Sequence, residues 1–197
     1  MSEPDSGSDL AALRTKAEKK GDIYLVNGTK LWTSGAHRCQ YMIALFRTSQ
    51  EEDRHGGFSQ FIVDLSLPGV TIRPIIDLAG RHHFNEVIFE DVEVPEDMLI
   101  GTEGNGWNQV TAELALERSG PERYLSSYML LQELVNEFSN KNDDEGVTEI
   151  GRQMSHLTTL RQMSVSVAGM LDQGENPALE ASVVKDLGAV FEQELPN

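Results

Sequence analysis

Near residue 101 the hydrophobic period of this chain changes from about two to about 3.6, and that change restricts the fold more than any other feature. Before it, apolar residues come in short runs separated by turn material such as "EEDRHGG", "LPG" and "LAGRHH". "YMIALFRT" (41–48) is a continuous run, short enough for a strand covered on both faces. "FSQFIVDL" (58–65) puts Phe61, Val63 and Leu65 on one face, with Ser59 beside them. "VTIRPIIDL" (70–78) points Val70, Ile72 and Ile76 inward and Thr71, Arg73 and Asp77 outward. Pro74 lacks an N–H, so it restricts that strand to a sheet edge or a bulge. "NEVIFEDVEV" (85–94) closes the series. In "DIYLVNGTKLWTSG", Asn27-Gly28 lies between two β-rich runs and predicts a two-residue hairpin turn.

After "LIGTEGNGW" the spacing is helical. Val110, Leu114, Leu125, Met129, Leu134 and Phe138 belong to the first stripe, and Pro121 kinks or splits it. "SNKNDDEG" (139–146) reads as a polar loop. Ile150, Met154, Leu157, Leu160, Val167 and Leu171 form a second stripe. Leu179, Val183, Leu187, Val190 and Phe191 form a third, with Asn176 as its cap and Pro177 in its first turn. The predicted class is α+β in two domains: an antiparallel β-sandwich or barrel over residues 1–101, then a partial antiparallel helix bundle over 102–197.

Composition narrows the function. The formal net charge of -16 argues against nucleic acid or an anionic membrane as main partner, since both require basic patches. No apolar stretch is long enough to span a membrane. The single cysteine, Cys39, excludes a disulfide framework, suits a reducing compartment and reads as a half-buried structural thiol.

The common catalytic signatures are absent: no phosphate-binding P-loop, no GxGxxG opening a helix, no HExxH and no CxxC. "GTEGNG" is read as a loop leading into a helix. His82-His83 would point to opposite faces of a strand, which does not suit a metal. Two polar stretches remain, "SEPDSGSD" at the start and "KLWTSGAHR" (30–38). Each offers small hydroxyls and a glycine, and the second adds the flat surface of Trp32. A planar heteroaromatic ligand with polar edges suits such a set; a strand end with Trp32 in the core is the plain structural alternative.

In order and spacing these stretches resemble the acyl-CoA dehydrogenase family, whose middle domain opens on [T/S]-E-P-x-x-G-S-D followed by an "NGxKxW" strand. "FNEVIFEDVEVPEDMLIG" and "GNGWNQVTAELALER" resemble the end of that domain and the first long helix of the next, so the likeness spans roughly residues 2 to 118. The resemblance implies non-covalent FAD and the desaturation of an acyl-CoA thioester to a trans-2-enoyl-CoA, with electrons passing to an electron-transfer flavoprotein. It also implies a homo-oligomer in the cytoplasm or, in a eukaryote, the mitochondrial matrix. By the same resemblance Ser2 lies near the flavin pyrimidine edge, and Ser8 near the FAD pyrophosphate and the thioester. Trp32, Thr33 and Ser34 lie beside the flavin ring, with Ser34 toward N5, and Arg118 lies near the substrate.

Family members run to about twice this length. The family's N-terminal helical domain, which precedes "SEP", is absent from these 197 residues, and its usual catalytic Glu falls beyond residue 197, so the resemblance implies a fragment: a middle β-domain with part of the C-terminal helical domain. It leaves Glu117, directly before Arg118, as the candidate base within these residues; pairing with a nearby cation such as Arg123 is the alternative. An enzyme, of which these 197 residues alone are expected to be inactive, and a truncated, non-catalytic flavin- or acyl-CoA-binding module both stay open, as does a sibling flavin oxidase or monooxygenase. Without a domain over it, the opening stretch is expected to fray.

Overall fold

The computed structural model describes residues 1–138 and 144–196, apart from the side chains of Ala115 and Glu145. It divides into two compact units, Met1–Gln109 and Val110–Asn197.

The first unit is built on six strands: β1 (Lys16–Lys20), β2 (Ile23–Lys30), β3 (Tyr41–Arg47), β4 (Phe58–Asp64), β5 (Val70–Ile76) and β6 (His82–Pro95). They form one sheet in the order β4-β3-β1-β2-β6-β5. Two features correct the antiparallel barrel expected above. The β1–β3 pairing is parallel, through Lys16 and Arg47. The sheet also does not close, because β4 and β5 stand at its two ends. Nonetheless Tyr24 on β2 meets Phe61 on β4 with ring centroids 4.8 Å apart. In a flat sheet, three strand spacings would hold them about 14 Å apart. The sheet is therefore curled until its halves face each other, and Phe46 on β3 reaches Phe89 on β6 at 5.4 Å in the same way. Tyr24, Val26, Phe46, Phe61, Val63, Val87 and Phe89 fill the space between. Each of these large side chains contributes roughly 1.5–3 kcal/mol by leaving water.

Asn27-Gly28 is not a hairpin turn. Strand β2 runs straight through it, and the turn lies at Gly21-Asp22, between the paired Lys20 and Ile23. Asn27-Gly28 is instead opposite an irregularity in β6, where the register passes from Val26–Val92 to Gly28–Phe89. The Asn27 amide donates to the Asp91 carboxylate and accepts from the Asp91 N–H, both at 2.9 Å. At Gly28 (φ 146) a Cβ would sit 2.7 Å from Thr15 Cα, so the close approach of Thr15 requires glycine. A residue pair that tolerates positive φ serves a bulge as well as a turn.

Other strand expectations divide. Ser59, Phe61, Val63 and Leu65 are buried, and β5 with Pro74 is an edge strand. Strand β3 is covered on both faces only over Ala44–Phe46, since Tyr41 and Ile43 are exposed. Ile76 is exposed: the covered positions of β5 run Val70, Ile72 and then Ile75, so the alternation changes phase at Pro74. Cys39 is exposed rather than half-buried; it directly follows the short helical turn Ala36–Arg38.

The second unit contains most of α1 (Gly106–Arg118), then α2 (Glu122–Leu125), α3 (Tyr128–Phe138), α4 (Asp144–Asp172) and α5 (Ala178–Glu194). Pro121 splits the first stripe, and Leu125 and Met129 are exposed while Leu131 is buried. Of the expected loop, residues 139–143 lie outside the described residues. Residues 144–146 form the first turn of α4, where the Thr148 hydroxyl donates to the Asp144 carbonyl at 2.7 Å. On α4, Met154 is exposed and Gln153 takes the buried position. On α5, Pro177 itself occupies the cap position expected of Asn176. The buried face there is Ala181, Val184, Gly188, Phe191 and Leu195; Leu179, Val183 and Val190 are exposed. That alternating spacing of three and four defines one helix face. Leu157 and Leu160 pack with Phe191 and Leu195, while Val167 packs with Ala181 and Val184, so α4 and α5 run antiparallel.

Candidate functional site

Strand β2 delivers the candidate site. Tyr24, Val26 and Lys30 share its inward face, so the strand carries a lysine into the core. The Lys30 side chain has no exposed surface. Its ammonium donates to the Glu3 carboxylate at 2.8 Å and to the Leu45 carbonyl at 2.6 Å. Glu3 in turn accepts from the N–H groups of Arg14 (2.6 Å) and Thr15 (3.0 Å). Burial pushes the Glu3 carboxyl up, but the Lys30 charge and the hydrogen bonds outweigh it and hold it below the usual carboxylate range. Burial pulls Lys30 below the ordinary lysine range, against the opposing pull of Glu3.

The opening stretch, expected to fray, is fastened by this pair. Glu3 and Ser6 exchange backbone hydrogen bonds across the Pro4-Asp5 tip, and the Leu31 N–H donates to the Ser2 carbonyl at 2.8 Å. Ser2 is thereby held beside the segment that leads into Trp32. Ser8 lies further along the loop and is exposed.

Trp32 has a backbone φ of 60, rare for an aromatic residue, and the residue is 56% exposed. Phe84 contacts that ring edge-on, with centroids 5.8 Å apart. Thr33 is clamped by Asn85, with backbone hydrogen bonds in both directions and a third from the Asn85 amide to the Thr33 carbonyl at 2.9 Å. The Thr33 hydroxyl is buried and has no hydrogen-bond partner. Ser34 is exposed, and the Gly35 N–H is tied to the His83 carbonyl. Asn85 also meets His82 Nε2 at 2.7 Å, and His82 stacks on His37 at 3.7 Å. Burial first, then the neighbouring His82 and Arg38, lower the His37 pKa. No group of three potential metal ligands occurs among the described residues.

Of the residues singled out in the sequence, the structure thus brings together Ser2, Trp32, Thr33 and Ser34. Glu117 and Arg118 end α1, in the other unit. Glu117 is exposed and accepts from Arg123 at 3.2 Å; Arg118 donates to the Ser182 hydroxyl at 3.3 Å. Sequence reasoning missed Glu3, Lys30 and Asn85. The alternation of β2 held the signal for two of them, since an inward lysine in phase with Tyr24 and Val26 demands an acid partner. An exposed aromatic plane, a buried hydroxyl without a partner and adjacent main-chain polar groups suit one side of a flat, hydrogen-bonding ring.

Known proteins are similar to this chain in sequence and in fold. Residues 1–92 match the family described as acyl-CoA dehydrogenase, middle domain. Acyl-CoA dehydrogenase FadE34 of Mycobacterium tuberculosis is 33% identical over 99% of this chain, which spans 28% of that protein. Acyl-CoA dehydrogenase IpdE1 of the same organism is 46% identical over 59% of this chain and 30% of its own length. Among solved structures, a probable acyl-CoA dehydrogenase from Mycobacterium abscessus aligns with a TM-score of 0.87 at 25% identity, over 96% of this chain and 53% of that one. The steroid acyl-CoA dehydrogenase Tcur3481-Tcur3483, as its G363A variant, gives 0.85 at 26%, over 98% and 52%. The chain thus spans about half, or less, of the length of the relatives it matches. With residues 1–92, both polar stretches included, matching that middle domain, and with relatives of that name matching up to 99% of the chain, the chain belongs to the acyl-CoA dehydrogenase family.

Proposed function

We propose that this chain serves the FAD-dependent α,β-desaturation of an acyl-CoA thioester to a trans-2-enoyl-CoA. The observation that carries the proposal is the fastening of Ser2 beside Trp32, with the buried, unpartnered Thr33 hydroxyl next in sequence. FAD, when bound, supplies the acceptor for the substrate's β-hydride. Trp32 would cover one side of the ring, and Ser2 would bond its pyrimidine edge. Thr33 and Ser34 would offer hydroxyls at its reactive edge, and Ser8 would face the pyrophosphate and the thioester. Glu117 is the proposed base for the α-proton, and Arg118 lies toward the substrate. To take that proton Glu117 must exchange its contact with Arg123 for one with the α-carbon. Electrons pass on to an electron-transfer flavoprotein, and the protein assembles as an oligomer. The likeness to a solved ChsE4-ChsE5 complex from Mycobacterium tuberculosis, 30% identical over 98% of this chain, supports assembly. No helix among the described residues is long and apolar enough to cross a membrane, which fits a cytoplasmic setting.

The test is flavin retention, followed by turnover. The full-length protein that contains these residues should carry FAD, seen in visible absorbance, and should bleach on addition of an acyl-CoA, whereas these 197 residues alone should not turn over. Protein that neither retains nor rebinds FAD would sink the assignment.

A further inference from the structure

Burying a charged pair is costly, and a well-packed apolar pair in its place is often as stable. The Glu3–Lys30 pair is almost wholly out of water. It is also fully engaged: Lys30 donates to Glu3 and Leu45, and Glu3 accepts from Lys30, Arg14 and Thr15. These bonds tie three separate segments, residues 1–3, residues 14–15 and β3, to the last residue of β2. An apolar pair could fill the same space but could not choose a register, because dispersion and burial are non-directional. Hydrogen bonds to an ion are directional, and they are stronger than those between neutral groups. One residue from Glu3 is Ser2, and one residue from Lys30 is Leu31; the Leu31 N–H bonds the Ser2 carbonyl. The ion pair and this backbone bond therefore form adjacent rungs, and the next residue outward is the strained, exposed Trp32.

We infer that Glu3 and Lys30 are positioning residues: a buried latch that sets the place of Ser2 against the Trp32–Thr33 turn. The latch works through the loop and touches neither substrate nor cofactor. It rests on the flavin reading above for its purpose, though not for its existence. It also explains why a stretch with the composition of a floppy tail follows a single path over the sheet.

The test uses amide hydrogen exchange, which needs no cofactor, on the intact protein and on E3Q/K30M. The double variant removes both charges while keeping the approximate shape, so the core is retained. Exchange at Leu31, Arg14 and Thr15 should quicken at least ~10-fold, while Phe61 and Val63 in the β3–β4 ladder stay unchanged. FAD should bind at least ~10-fold more weakly, because ordering the loop must then be supplied on binding. Unchanged exchange at those three amides would overturn the latch. So would a uniform loss of protection through β3 and β4, which would make the pair a general support of the core. Faster exchange at the three amides in a protein whose wild type binds no FAD would uphold the latch and sink the flavin reading instead.

Discussion

Lys30 shows how one side chain sets conditions for its neighbours. An ammonium without exposed surface must have an anion, and Glu3 is that anion. Because the folded Glu3 carboxyl titrates below its unfolded value of 4.5, its contribution to stability is complete above that value. The contribution is lost as pH falls through the lower, folded value. Arg47, whose guanidinium also feels the Glu3 charge, stays cationic throughout that range. Thermal melts should therefore show the wild type losing more stability than Glu3→Gln below about pH 4.5. Parallel pH profiles would mean that the pair is electrostatically idle. Removing only the lysine is harsher. K30M leaves the Glu3 charge buried and should cost about 3–5 kcal/mol by denaturant unfolding. Glu117→Gln tests the chemistry: exchange of the acyl-CoA α-proton should fall by about 10²–10⁴-fold if Glu117 is the base. Unchanged exchange would place the base elsewhere.

At the scale of elements, close backbone approaches decide more than propensity does. Gly188 sits on the buried face of α5, where an added Cβ would meet the Arg123 carbonyl of α2 at 2.4 Å. Gly188→Ala must push α2 away and should cost about 1–3 kcal/mol, although alanine is the better helix former. A melting temperature equal to or above wild type would refute this contact. The same logic explains what was legible beforehand. The division into strands and then helices followed from hydrophobic period, and the placement of Pro74 at an edge followed from its missing N–H, but β1 (Lys16–Lys20) went unread because KAEKK has a single apolar residue. The role of Asn27-Gly28 did not, because its dipeptide chemistry suits a turn and a bulge alike; the approach of Thr15 decides between them. The inner face of α5 was offset because Leu179, Val183 and Val190 are apolar yet exposed, and apolar character alone does not mark the inside. In the candidate site the hydroxyls and Trp32 could be named from motifs, whereas Asn85 could not. It reaches Thr33 only because β6 passes beside that turn, a tertiary fact with no local signature.

For the whole molecule, charge and topology set the terms. A net charge of -16 on 197 residues disfavours the compact state through self-repulsion. Raising ionic strength from low to physiological shortens the screening length to about 8 Å and should raise the melting temperature. A fall would show that local ion pairs such as Arg152 with Glu149 and Glu194 outweigh the global repulsion. The curled sheet has a kinetic consequence. The β1–β2 and β3–β4 hairpins are local and can form within microseconds. The contact between Tyr24 and Phe61, and the ladder that pairs Ile23 with Pro95, join residues distant along the chain. Those loops must close before any core exists between the halves, so refolding of the sheet unit is slowed toward milliseconds to seconds. Until then the hairpins expose the apolar faces that later bury one another. Misassociation between chains is therefore greatest during that interval and grows with protein concentration.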